Sequence, residues 1–340
     1  MAVYVREASL SYDRGTLVGL TRAHLFAGTT ERRFQWLYQE NPFGSARAWL
    51  AIDGNTQQAI GMASLFPRRG LINGARATCC VLGDFCVSEK YRTLGPALQL
   101  QRACLSAVKA GPFALCYDYP NPAMLAVYKH LGVVPNCKLV RMVKRLRTED
   151  KMKQWISSER VSRAAARIAD LALLLREGYI SDPAGVQFRL EEQECTAEYS
   201  RLADRIGSSL GGCTLRTSEY LNWRYRRNPI TAYEFLAAYR GEELLAYCVF
   251  TIADRHAWVA ELFGRSDNSI VTGLFRRLAA LLRSRGAVSI NVVLLASDVR
   301  MGALRKAGFW QRESTPVIAC DSDLKNFGSW LLLMQGDRES

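Results

Sequence analysis

The spacing of apolar positions changes several times along the chain, and each change marks an element. Val3 to Glu7 alternates as a strand. Two short helical segments follow, the second spanning Glu31 to Glu40, where Asn41-Pro42 ends it because proline disfavours helix before it and cannot continue one. Trp49 to Ile52 and Ala59 to Phe66 alternate around Asp53-Gly54-Asn55, a hairpin signal, and Ala77 to Val87 reads as a longer strand. Phe85 and Val87 keep a period of two, whereas Leu98, Cys104, Leu105 and Val108 recur at helical spacing, so a turn between them joins a strand to a helix. Phe113 to Asp118 is then a short strand, Asn121 to His130 a helix closed by Leu131-Gly132, and Leu139 to Leu146 a last strand.

After a segment of helical composition, Thr148 to Gly178, with Ile168, Leu171, Ala172 and Leu175 on one stripe, the order begins again. Phe188 to Glu191 matches the first strand. Trp223-Arg-Tyr225-x-x-Asn228-Pro229 repeats Trp36-Leu-Tyr38-x-x-Asn41-Pro42 at a spacing of 187 residues. Behind it come strands at Phe235–Tyr239, Leu244–Phe250 and His256–Phe263, a helix from Ser269 to Arg285, a strand at Val288–Leu295, and a helix ending at Gly308-Phe309 that parallels Gly132-Val133. A period this long means two copies of one domain, expected at residues 1–147 and 181–340 and joined by a helical connector, 148–180, through which the copies pack.

The turn Arg92-Thr93-Leu94-Gly95-Pro96-Ala97 is the chemically suggestive one. Small residues there let a backbone approach a ligand, and the helix that follows offers unpaired N–H groups to an anion. In the second copy the corresponding stretch, Ser269 to Phe275, has one glycine, no arginine, and bulky Leu274 and Phe275, so the same approach is crowded.

This stretch resembles the signature of the GNAT acyltransferase superfamily, with Phe85, Val87, Tyr91, Arg92, Gly95 and Ala97 in register; Glu89 stands where the family often has proline, and Pro96 removes one N–H. The resemblance implies an α/β fold of two GNAT-like domains in tandem, each a mixed, largely antiparallel sheet flanked by helices. It implies acetyl-coenzyme A or another acyl-coenzyme A as co-substrate, held in the first copy alone by Phe85, Cys86, Val87, Arg92, Thr93, Leu94, Gly95, Ala97 and Asn121. Pantetheine would lie where the strand Asp84–Val87 splays from Phe113–Asp118. Asn121 followed seven residues later by Tyr128 is similar to the family's helix whose tyrosine protonates the departing thiolate, so Tyr128 is the first catalytic candidate. Trp36, Tyr38, Trp223 and Tyr225 are candidates for an acceptor pocket or, as aromatics at helical spacing, for core. The paired Trp-x-Tyr motifs and Leu94-Gly-Pro-Ala look similar to a bacterial group associated with polysaccharide assembly, which points to a sugar-bearing amine acceptor.

Asp84 lies within the apolar run Cys79–Val87, where a carboxylate must be paired, wet or functional; it could take a proton from an acceptor ammonium. Glu261 occupies the equivalent place in the second copy and could line the same cleft. His24, His130 and His256 form no metal pair and no nucleophile–base pattern, so no metal is expected, and the ten cysteines, lacking a Cys-x-x-Cys pair, read as free thiols.

Composition adds one feature, a formal charge of +13. Eleven Lys or Arg against four acids fall between Lys138 and Arg176, enough to attract an anionic membrane surface or a lipid-linked substrate, with nucleic acid not expected. The start has no signal pattern and no apolar run reaches the roughly 20 residues of a membrane span, so the expectation is a cytoplasmic protein, at most peripheral to the inner membrane face. Two other classes stand beside the acyl-coenzyme A transferase: a Fem-type aminoacyl transferase using aminoacyl-tRNA, and a non-catalytic binding protein on the same scaffold.

Overall fold

The computed structural model describes residues 3–148, 161, 165, 168, 183–207, 211–321, 323, 325 and 331–338. Its first part contains β1 (Val3–Glu7), α1 (Arg14–His24), α2 (Glu31–Phe34), β2 (Arg47–Asp53), β3 (Ala59–Ile72), β4 (Ala75–Val87), α3 (Leu94–Ala110), β5 (Phe113–Asp118), α4 (Pro122–His130) and β6 (Cys137–Arg145). The second contains β7 (Gln187–Glu191), α5 (Ala197–Gly207), β8 (Gly212–Thr214), α6 (Ser218–Leu221), β9 (Glu234–Arg240), β10 (Glu243–Ala253), β11 (His256–Gly264), α7 (Asn268–Ser284), β12 (Ser289–Leu295), α8 (Met301–Lys306), β13 (Trp310–Cys320) and β14 (Leu331–Leu332). Of the expected connector, only Thr148, Val161, Ala165 and Ile168 fall among the described residues.

One mixed sheet runs through the molecule in the order β1-β2-β3-β4-β5-β13-β6-β12-β11-β10-β9-β7. Pairs β4–β5 and β11–β12 are parallel, and the other pairs along this path are antiparallel. The order reads the same from either end, with one exchange at the centre: β13, the last long strand, lies beside β5, and β6 lies beside β12. Each half thus lends its final strand to the other, and three core clusters form on the two faces of the shared sheet. The sequence pattern missed β13 because its first six residues are exposed and show no alternation.

The two Trp-x-Tyr motifs meet where the halves touch. Each follows a one-turn helix, α2 or α6, and widens into a π-helical turn, Gln35–Gln39 or Asn222–Arg226. Trp36 and Trp223 stack with ring centres 5.2 Å apart. Each indole N–H donates to the other's carbonyl, Trp36 Nε1 to Trp223 O at 2.8 Å and Trp223 Nε1 to Trp36 O at 3.0 Å. Opening one turn of the helix frees the carbonyl, and the repeat supplies the matching donor. Together with the exchanged strands and the pairing of β8 with β3, this pair joins the halves.

Replacing Trp223 by Phe keeps most of the apolar contact but leaves the Trp36 carbonyl without its donor. The expected cost is about 1–3 kcal/mol, the usual penalty for a buried unpaired group. Urea unfolding should show a lower midpoint at unchanged slope; an unchanged midpoint would show that the reciprocal bonds do not hold the halves together.

Candidate active site

β4 and β5 begin in register and then part. Their ladder runs from Thr78↔Phe113 to Val81↔Tyr117, after which β5 turns its next residue, Asp118, to Ile318 of the exchanged strand. Among the described residues, Leu82 to Val87 therefore have no ladder partner on that side. A bulge sits in this stretch: Met62↔Cys86 and Ser64↔Gly83 leave Asp84 and Phe85 facing Ala63 alone, with Asp84 at φ +43°. Aspartate tolerates that left-handed geometry better than most residues, and the bulge turns the strand's backbone towards the gap. A cavity of about 150 Å³ fills the gap, lined among others by Gly83, Asp84, Phe85, Gln101, Asp118 and Asn121.

Asp84 and Glu261, the two expected carboxylates, are both buried. Arg33 grips Asp84 with two bonds of 2.9 Å, and the Tyr38 hydroxyl adds a third at 2.8 Å. Its oxygens are engaged, and this clamp fixes the bulge. In the second half the Tyr225 hydroxyl donates to Glu261 at 3.2 Å, and Arg216 bridges Glu261 at 3.3 Å and Asp337 at 2.8 Å. Burial, and then the Asp337 charge, push the Glu261 carboxyl up against the pull of Arg216. Each Trp-x-Tyr motif thus lays its tyrosine on a buried acid beside a strand bulge, since the β10–β11 register also slips next to Glu261. Trp36, Tyr38, Trp223 and Tyr225 are all buried in these contacts, and none lines the cavity.

Tyr128 lies just behind the cavity wall. Its hydroxyl donates to Asp118 Oδ2 at 2.5 Å and accepts from Gln101 Nε2 at 2.7 Å, and both partners line the cavity. Burial, and then the facing Asp118 charge, raise the Tyr128 phenol well above its ordinary value, so it stays protonated. Burial lifts the Asp118 carboxyl to about 6, against hydrogen bonds from Tyr128 and the Tyr119 amide. An acid held near neutrality at the mouth of a cleft suits proton transfer. Asp118 was overlooked in the sequence although it ends the apolar run Phe113–Tyr117 in the way Asp84 interrupts its own strand. Asn121 accepts from the Met124 amide at 2.9 Å and so caps α4.

The expected cradle opens from the far end of the gap. Cys86 and Val87 are buried, and Arg92 to Gly95 are exposed. Thr93 precedes α3 with extended backbone and no side-chain cap, so the first N–H groups of a 17-residue helix face outwards. A Cβ at Gly95 would meet no protein atom. Arg92 reaches back to the Val87 carbonyl and to Glu89, each at 3.3 Å.

The second half differs at each of these points. Only residues 265–267 separate β11 from α7, and Asp267 accepts from the Ser269 amide at 2.8 Å, placing a carboxylate where an anion would sit. Gly273 lies further along α7, where a Cβ would come within 2.7 Å of Phe188. Past Val259↔Val292 the β11–β12 ladder also ends, but the chain's own C-terminal segment fills the opening. Met334 bridges Leu294 and takes the Leu262 N–H on its sulfur at 3.2 Å, while Arg300 donates to the Leu262 carbonyl.

Residues 14–133 match the model of the acetyltransferase (GNAT) family. No curated protein matches the chain in sequence. Among solved structures it is similar to a GCN5-related N-acetyltransferase from Anabaena variabilis, at 10% identity and TM-score 0.65 over 94% of this chain and 73% of that one. A GCN5-related N-acetyltransferase from Kribbella flavida shares 14% identity at TM-score 0.62, over 95% and 72% of the two chains. A GCN5-related glucosamine N-acetyltransferase region of a fungal multi-domain β-N-acetylglucosaminidase shares 12% at TM-score 0.55, over 93% of this chain and 38% of that one. Residues 14–133 are therefore similar to a GNAT acetyltransferase domain, and the fold over most of the chain is similar to that of these solved structures. Among the described residues no helix is long and apolar enough to cross a membrane.

Because folding raises the Asp118 pKa from its ordinary 3.8 to about 6, the protonated form is the one the fold favours. Its contribution to stability is complete below about pH 4 and is lost as pH rises through 6. Between pH 5 and 8 the parent protein should lose about 1 kcal/mol relative to Asp118→Asn. Parallel urea curves for the two proteins would overturn the assignment.

Proposed function

We propose that the protein moves an acetyl or other short acyl group from acyl-coenzyme A to an amine, with one coenzyme A bound per chain by the first half. The observation that carries this reading is the gap between β4 and β5 running into the uncapped start of α3. The strand from Leu82 to Val87, without a ladder partner on its β5 side among the described residues, suits the amides of pantetheine, and the N–H groups from Leu94 onward suit a pyrophosphate. In the second half Asp267 and the C-terminal segment take up both places, which supports a single cofactor and a scaffold role for that half. We read residues 1–147 and 181–340 as the two copies.

The Gln101–Tyr128–Asp118 chain would manage the proton. Amide formation from a thioester releases one proton at nitrogen and consumes one at sulfur. Asp118 takes the proton from the attacking nitrogen, Tyr128 gives its own to the departing sulfur, and the 2.5 Å bond between them returns the proton to Tyr128. Gln101 orients the phenol throughout. Asp84, with its oxygens engaged by Arg33 and Tyr38, shapes the bulge. An amino sugar is the acceptor class favoured here, supported by the fungal glucosamine N-acetyltransferase region among the similar folds.

Calorimetry should find one coenzyme A per chain and none for Gly95→Val, whose added side chain meets ligand space and not protein. Two bound cofactors, or binding that survives the substitution, would reject the site.

Tyr128→Phe should lower kcat by about 10²- to 10⁴-fold, as for a lost acid–base group, with coenzyme A affinity nearly unchanged. Equal losses of stability and activity would assign Tyr128 to packing.

A further inference from the structure

A second concave site lies on the sheet away from the cofactor gap, where β6, β11, β12 and β13 come together around a groove of about 460 Å³. Arg141, Val143 and Arg145 face it, while Val140, Met142 and Leu146 turn to the core on the opposite side, as strand alternation requires. Register builds it in rows. Arg145 is opposite Ser289 and Ser289 beside His256; Val143 is opposite Asn291 and Asn291 beside Trp258. Arg147 and Arg312 complete the rim.

Among the described residues four arginines and a histidine line this groove, and no carboxylate does. Arg141 is neutralised by Glu313 through bonds of 2.6 and 2.8 Å and tied to Asn291 at 2.8 Å. Arg147 is held by the Arg283 carbonyl at 2.8 Å, which positions the fork without cancelling its charge. Among the described residues no salt bridge joins Arg145, Arg147 or Arg312 to an acid. Like charges gathered in a concavity raise the local potential for an anion. Lys144, between two of these arginines, points the other way and donates to the Ala307 carbonyl at 2.7 Å, closing the end of α8. Of the five basic residues described in this segment, Lys144 is spent on packing, Arg141, Arg145 and Arg147 are gathered on one face, and Lys138 lies outside the groove.

We propose that this groove binds a ligand bearing a diphosphate and a ring, of the size and chemistry of a nucleoside diphosphate. Guanidinium forks pair with phosphate oxygens two at a time, and three that no salt bridge among the described residues engages match a diphosphate. Val143, Val288 and the half-buried Trp258 give an apolar floor for the ring or sugar. A membrane surface would meet a flat or convex face, whereas this one is a groove. The inference stands independently of the acyl-transfer reading.

The test titrates the full chain with uridine diphosphate, adenosine diphosphate and inorganic diphosphate at physiological salt, following heat and tryptophan fluorescence. Saturable binding at one site per chain is expected. Arg145→Gln and Arg312→Gln should each weaken it by about tenfold or more, the equivalent of a lost charge-assisted bond, while Gly95→Val leaves it unchanged. Arg312 is exposed, so its variant should fold even if the Arg145 variant does not; unchanged melting temperatures confirm this. Absence of saturable binding up to millimolar ligand overturns the proposal. So does loss of binding in Gly95→Val alone, which would place the diphosphate at α3, or affinity for RNA or anionic vesicles alone, which would give the groove to a macromolecule.

Discussion

The exchange of final strands is the constraint on which the rest depends. β5 pairs with β13 and β12 pairs with β6, so neither half has a complete sheet without the other. The exchange also bears on the gap between β4 and β5. Asp118, the residue at which β5 leaves β4, is held by Ile318 of the borrowed strand, so the partner half helps hold the two strands apart. Burying both centre strands and the Trp36–Trp223 pair makes the halves one cooperative unit, since separating them would expose several strands' worth of unpaired backbone.

Two halves of similar strand order differ by small local means. Both have a parallel strand pair that parts, a bulge, and a buried acid under a tyrosine. The first half leaves its gap open and its helix start uncapped. The second closes the same features with Asp267 and with the segment around Met334, and Gly336 permits that closure because a Cβ there would collide with Tyr225 and the Ala260 carbonyl. Arg216 secures it by binding Asp337 and Glu261 together. A fold that retained its strand opening without filling it would expose unpaired backbone and apolar lining to water, so the tail satisfies in the second half what a ligand would satisfy in the first.

Local pattern made most elements legible. The helix expected from Asn121 to His130 is Pro122–His130, and that expected from Ser269 to Arg285 is Asn268–Ser284. Periodicity speaks of which face of an element is buried, not of which strand lies next to it, so the exchange of β6 and β13 was invisible: both halves offer an equivalent edge. The reciprocal tryptophan bonds were hidden for a related reason, because the repeated motif announces a shared structure but not that the two copies meet. Charge counting likewise marks Arg141, Arg145 and Arg147 without showing that they share a groove, which depends on strand alternation and on Arg312, 165 residues beyond Arg147.

Asp84 and Asp118 show why a candidate acid cannot be judged by its burial in the sequence pattern alone. Asp84 interrupts an apolar strand, Asp118 ends one, and both line the same cavity. Asp84 meets a guanidinium in two-point contact and a phenol, so its charge is compensated and its lone pairs are occupied. Asp118 meets a phenol and a backbone amide, which are neutral donors that leave desolvation dominant and lift its carboxyl to about 6. The difference lies in Arg33, delivered from a helix 51 residues earlier in the chain. A cation at one carboxylate makes it a clamp, and the lack of such a bond at the other leaves it able to exchange a proton near neutral pH.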